Sequence, residues 1–312
     1  MTLPGFLMIG AMKCGTTTLY GDLLGSPDIF MPHVKEPCNL IRNDMYTADG
    51  LASYERLFVD AKPGQLAGEA STLYAALPDF ADVPERVHRT IGPDLKLIYV
   101  VRDPVARIVS HYQHMVSMGP QIDVPKGALD SIDAAVQQIP RLVDWSRYAM
   151  QLQAWLEWFK PEQIRIVQFE RYIADRAGTT EAICRFLGVR PPPKIDATRA
   201  YNRTGNRPVV RGVWAKLRGS TLYRSWFARY VPLPMRDTIR RVVLPRERVA
   251  VVQPGDDTLR SIREQLADDQ RRLALLFGGC GDAVCMPDPS GLADSSQQGD
   301  DAPAISRRIG DH

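Results

Sequence analysis

A short apolar run that halts on a glycine loop constrains this chain more than any other stretch of it. Phe6 to Ile9 are apolar, Gly10 stops them, Lys13 and Gly15 follow, and Thr16, Thr17 and Thr18 open a helix-like pattern that runs to Leu24. A strand, loop and helix in this order make an anion site. The first amides of a helix have no carbonyl partner within the helix, and the aligned peptide dipoles favour negative charge there. Glycine lets the backbone turn sharply and approach a ligand closely. The register of the lysine narrows the choice. A nucleoside-triphosphate loop places lysine directly after its second glycine, in the order Gly-x-x-x-x-Gly-Lys-Ser/Thr. Here Lys13 stands two positions before Gly15, and Thr16 occupies the place of that lysine. The loop suits a phosphate-like group but not in the triphosphatase pattern.

The chain goes on to alternate strand and helix patterns. Leu95–Val101 is almost purely apolar and β-branched, as in a strand covered on both faces. Leu66–Glu69 reads as a short strand and Ile164–Phe169 as a further strong one. Helices are expected at 84–91, 104–118, 145–159, 179–187 and 257–277, with Pro84 and Pro104 in first turns and Gly188 as a cap. Residues 29–64 read as irregular, with a short helical piece near 53–58, and 119–140 as loop and a short helix. The alternation implies an α/β fold, a central parallel sheet flanked by helices. Residues 189–256, rich in arginine and proline, break it. Residues 286–312 hold few apolar side chains and are expected to form a disordered tail, which leaves 1–285 as one folded domain.

Composition sets outer bounds. The 312 residues are 45% hydrophobic and 24% charged, which is ordinary globular material. A net charge of +3 is too small to argue for nucleic acid, so no nucleic-acid partner is expected. The arginine surplus in 199–248 suits an anionic ligand, a peripheral membrane contact or a plain solvated face. Residues 3–12 are apolar but lack a basic leader and run into the glycine loop, and no stretch approaches the roughly 20 apolar residues of a bilayer span. Five widely spaced cysteines do not form a secreted disulfide pattern, so a reduced, cytoplasmic compartment is expected. No histidine cluster has metal-ligand spacing, and no metal is expected.

A second anion motif lies at 95–113. The strand ends, Arg102 emerges at its C-terminal edge, Pro104 starts a helix, and Ser110 lies about two turns along it. Ligands of open α/β sheets bind at that edge, and an arginine fork suits a phosphate. Taken together, the loop Gly10-Ala-Met-Lys-Cys-Gly-Thr-Thr and this second motif resemble the 5′-phosphosulfate loop and the 3′-phosphate motif of the sulfotransferases. Those enzymes use 3′-phosphoadenosine 5′-phosphosulfate (PAPS) and have a P-loop-like fold. The resemblance spans about residues 5–280.

It implies roles residue by residue. Lys13, Cys14, Gly15, Thr16 and Thr17 would hold the 5′-phosphosulfate, with Lys13 stabilising charge on the leaving oxygen. Arg102 and Ser110 would hold the 3′-phosphate, and Arg203 and Arg207, in a late basic loop, would close over it. Gly68-Glu69-Ala70-Ser71 resembles the segment that carries the catalytic base in glycan and bacterial members, so Glu69 is expected to face the crevice and take the acceptor's proton. A lysine follows that glutamate in many eukaryotic members, whereas Ala70 follows it here. Pro32-His33-Val34-Lys35-Glu36-Pro37 matches a bacterial segment, which places His33, Lys35 and Glu36 on the acceptor side. The implied reaction is in-line transfer of a sulfuryl group to a hydroxyl of a carbohydrate, glycolipid or other small molecule. Two alternatives remain open at this point, a P-loop nucleotide or small-molecule kinase and a non-catalytic nucleotide-binding protein.

Overall fold

The computed structural model describes residues 3–118, 121, 123–195, 252–276 and 284–285. Its centre is a sheet built from β1 (Phe6–Gly10), β2 (Ile29–Phe30), β3 (Leu66–Ala70), β4 (Lys96–Val101), β5 (Ile164–Gln168) and β6 (Val284–Cys285). The spatial order is β2-β3-β1-β4-β5-β6. The first five strands pair parallel, and β6 adds an antiparallel edge against β5. Phe6, Leu7, Met8 and Ile9 of the central strand are fully buried, as are Leu97 to Val100 of β4. Each such side chain contributes about 2 kcal/mol by leaving water. Gly68 of β3 leaves room for the Phe6 ring, which would lie 2.0 Å from any Cβ there.

The helices are α1 (Thr16–Leu23), α2 (Ala48–Glu55), α3 (Val83–Ile91), α4 (Pro104–Met118), α5 (Ile132–Gln138), α6 (Arg141–Asp144), α7 (Tyr148–Leu156), α8 (Phe169–Ala174), α9 (Arg176–Leu187) and α10 (Asp256–Leu276). Helix α4 starts where its sequence directs. Pro104 is its first residue, and the Asp103 carboxylate accepts the Ala106 amide at 2.7 Å. Gly188 closes α9 in the left-handed conformation.

The central parallel sheet of the sequence reading is present, and several boundaries differ. Trp145 does not begin a helix. It sits in the turn between α6 and α7, where its indole N–H donates to Asp79 at 2.7 Å. The helical piece expected near 53–58 begins earlier, at Ala48, because the Thr47 hydroxyl caps it by accepting the Gly50 amide. Phe169 opens α8 rather than ending β5. The expected tail, 286–312, lies outside the described residues.

Candidate active site

Strand order places a crevice at the C-terminal ends of the central strands. From β1 the chain runs to the edge strand β2, returns to β3 beside β1, and then crosses to β4 on the other side. Loops that leave neighbouring strands in opposite directions open a crevice between them, the usual ligand position in such sheets. The loop after β1 and the residues after β4 flank it, and the Ala11 amide donates to Val100 O across it at 2.8 Å.

The anion cradle is built from both sides. Gly15 has φ 85°, a left-handed conformation, and no side chain caps α1. The first amides of α1 are thereby left for a ligand. Thr16 is buried and Thr17 half-buried at that helix start. Lys13 also takes a positive φ, 71°, and its carbonyl accepts Arg102 Nη1 at 3.3 Å. The Arg102 guanidinium carbon sits over the Phe169 ring, 4.7 Å from its centroid, and its buried Nε has no partner among the described residues. Phe169 also fills the space beside Gly15, where any Cβ would come within 2.4 Å of the ring. Ser110 is buried on α4, two turns from Arg102.

Cys14 departs from the expected cofactor contact. Its amide donates to Ala11 O within the loop. Its thiol turns into the core, 3.5 Å from the Tyr148 hydroxyl, and burial pushes it up to about 11. It shapes the loop from beneath and presents no group to an anion.

Under the cradle lies a cation with no carboxylate partner among the described residues. Arg107 is fully buried, and burial lowers its pKa. It donates to Ser146 Oγ at 2.6 Å, to Leu142 O at 2.5 Å and to His111 Nδ1 at 3.4 Å. Arginine has only donors, so His111 is neutral with its proton on Nε2. Burial first, then the charges of Arg107, His114, Lys13 and Arg141, hold the His111 pKa well below the usual histidine range. Arg107 and Lys13 place positive charge around His111, the sign that favours an anion nearby.

Two carboxylates on the β3 side, Glu69 and Glu36, lie in different surroundings. Glu69, paired in register with Leu7, is only 1% exposed. Its oxygens accept the hydroxyls of Tyr54 at 2.5 Å, Ser71 at 2.5 Å and Tyr74 at 2.8 Å. Burial raises its pKa, and the three hydroxyls pull it back. This corrects the expectation that Glu69 faces the crevice. The carboxylate at the rim is Glu36, whose side chain is 35% exposed. Lys35 Nζ lies 2.5 Å from Glu36 Oε1, and the Thr72 hydroxyl donates to Oε2 at 3.2 Å. His33 is exposed. Arg203 and Arg207 lie outside the described residues. Among the described residues, no group of histidine, cysteine and carboxylate side chains is arranged to hold a metal ion.

The sequence reading missed Phe169 and the hydroxyls of Tyr54 and Tyr74. Phe169 ends the strand expected at 164–169, and that position at the strand's C-terminal end was its one available signal.

A switch-point crevice with a glycine-loop helix start on one side and an arginine after the next strand on the other defines a phosphate-type ligand site of the P-loop-like α/β class. The chain is similar to the sulfotransferases: the model of the sulfotransferase domain matches residues 79–218. It is 31% identical to human heparan sulfate glucosamine 3-O-sulfotransferase 3B1 over 255 residues, covering 77% of this chain and 60% of that protein. It is 30% identical to the human 3-O-sulfotransferase 6 over 201 residues, covering 60% of this chain and 53% of that protein. The chain thus spans little more than half the length of these curated relatives. A sulfotransferase from Alicyclobacillus acidocaldarius shares the fold, with a TM-score of 0.57, 21% identity, and 88% of this chain and 96% of that one covered.

Proposed function

We propose that this protein is an enzyme that moves the sulfuryl group of PAPS to a hydroxyl of a glycan. The observation that carries the reading is the bond from Arg102 to Lys13 O, which makes one cradle of the loops after β1 and β4. The residues suit a nucleotide with phosphate on both ribose ends. The uncapped start of α1 offers amides to the 5′ side, and the buried Nε of Arg102, without a partner among the described residues, offers a donor to the 3′ side. PAPS supplies an activated sulfuryl group when bound.

The chain's own residues then have separate tasks. Gly15, Thr16 and Thr17 hold the 5′-phosphate, and Arg102 with Ser110 holds the 3′-phosphate. Lys13 favours charge on the oxygen that leaves sulfur, an interaction strongest in the transition state. Glu36, the carboxylate at the rim, takes the proton of the attacking hydroxyl, with Lys35 beside it to orient it. A glycan acceptor is supported by the two human relatives, which are named for a 3-O transfer to glucosamine of heparan sulfate. A cytoplasmic location, supported by cysteines 14, 38 and 184 standing as separate thiols, and a single domain over 1–285 belong to the same proposal.

Two measurements test it. Calorimetry should show binding of the 3′,5′-bisphosphate product, PAP, without magnesium. Incubation with PAPS and heparosan oligosaccharides should add the mass of one sulfuryl group to the sugar. Binding of magnesium-ATP in place of PAP would move the protein to the kinase reading.

A further inference from the structure

We propose that Glu69 is a positioning residue, and that through Ser71 and Tyr74 it fixes the backbone of the segment carrying Lys35 and Glu36. The inference rests on the sulfotransferase reading for what that segment does, but its structural half stands on hydrogen bonds alone. A buried carboxylate is costly unless every lone pair finds a donor. Glu69 finds three hydroxyls, and among the described residues no cationic nitrogen lies within ion-pair distance of it.

An ionised carboxylate only accepts, so each hydroxyl must turn its one proton towards it. Ser71 and Tyr74 are then left with lone pairs facing away from Glu69. Both lone pairs meet a backbone amide of one segment. Cys38 N donates to Ser71 Oγ at 3.1 Å, and Leu40 N donates to the Tyr74 hydroxyl at 3.3 Å. Glu69 thus sets the direction of two relays, carboxylate to hydroxyl to amide, which end on either side of Asn39.

The same segment is tied to the strand end that carries Glu69. The Glu36 amide donates to Ala70 O at 3.0 Å, and the Thr72 hydroxyl reaches the Glu36 carboxylate. These ties matter because the segment is strained. Glu36 has φ 60° and Cys38 φ 53°, a left-handed conformation that non-glycine residues adopt only when their surroundings hold them there. Removing the relays releases Cys38 and, two residues away, the carboxylate at the rim.

The test compares Glu69→Gln, the pair Ser71→Ala with Tyr74→Phe, and Glu36→Gln. A glutamine has the shape of the carboxylate but brings a donor, so one relay must reverse. Glu69→Gln and the hydroxyl pair should each lower kcat on the order of 10²-fold, the scale of a small misplacement of a reacting group, and leave PAP affinity within about twofold. Combining them should add little, since they break one unit. Hydrogen exchange at the Cys38 and Leu40 amides should speed up in both and stay slow in Glu36→Gln. Loss of turnover in Glu69→Gln, with wild-type rate and slow exchange in the hydroxyl pair, would overturn the inference and make Glu69 act on the acceptor itself. If Glu69→Gln does not fold, the single hydroxyl variants decide by the same exchange rates. Failure of the wild type to bind PAP would instead sink the sulfotransferase reading, and amide exchange would still decide the relays.

Discussion

The guanidinium of Arg102 lies 4.7 Å over the ring of Phe169, and this contact joins three strand ends into one site. Arg102 follows β4, Phe169 follows β5, and the same guanidinium donates to Lys13 O in the loop after β1. The ring also closes the space beside Gly15. A flat face under the arginine fixes the plane of its fork, and that plane decides which oxygens it can meet.

Replacing Phe169 separates the charge–ring attraction from simple packing. Phe169→Leu keeps an apolar side chain and loses the ring, whereas Phe169→Tyr keeps both. With about 0.5–2 kcal/mol at stake, Phe169→Leu should weaken PAP about 2- to 30-fold by calorimetry, and Phe169→Tyr should restore it. Ribose 3′,5′-bisphosphate should show the same loss. A loss seen with PAP but absent with the base-free probe would mean that the ring meets the base and does not act through Arg102.

Gly15 faces two demands that no other residue meets. Its φ of 85° is left-handed, and a Cβ would lie 2.4 Å from Phe169. Gly15→Ala should therefore cost about 1–3 kcal/mol in urea unfolding and lose PAP binding along with it. Unchanged stability with full binding would show that the loop reshapes freely.

Lys13 and Glu36 should fail in different ways. Lys13→Ala removes charge stabilisation at the leaving oxygen, so kcat should fall about 10²–10³-fold while PAP still binds. Glu36→Gln removes the proton acceptor and should lower kcat about 10²–10⁴-fold. A Glu36→Gln variant that turns over normally would leave Lys35 or His33 as the group to test next.

Much of this site was legible because its parts are contiguous in the chain. An apolar run, a glycine loop and a threonine-opened helix announce β1 and α1, and Arg102-Asp103-Pro104 announces the end of β4 and the cap of α4. What the sequence could not show depends on strand order. Phe169 meets Gly15 and Arg102 only because β5 lies beside β4 and β4 beside β1. Glu69 looks like a crevice carboxylate in one dimension. Its burial follows from Tyr54 and Tyr74, which reach it from α2 and from the 3₁₀ turn after β3. Trp145 has helix-like spacing, but its bond to Asp79 and its stacking on His111 hold it in a turn.

His111 gives a pH dependence whose sign can be worked out. Its ring stacks on Trp145 at 5.2 Å and accepts from Arg107, so the folded protein keeps it neutral. Its folded pKa is depressed well below the ordinary value, and the unfolded chain therefore binds a proton there first. The contribution to stability is present above pH about 6.5 and is lost as pH falls from there towards the folded pKa. The slope approaches about 1.4 kcal/mol per pH unit within that window. His111→Gln keeps an acceptor for Arg107 and cannot titrate. The difference between wild-type and His111→Gln unfolding free energies, followed by Trp fluorescence from pH 8 to about pH 5, should isolate this group from the carboxylates. Parallel curves for the two proteins would show that the ring takes up its proton as readily in the fold as in the unfolded chain, and would overturn the assignment of Nδ1 as an acceptor held by Arg107.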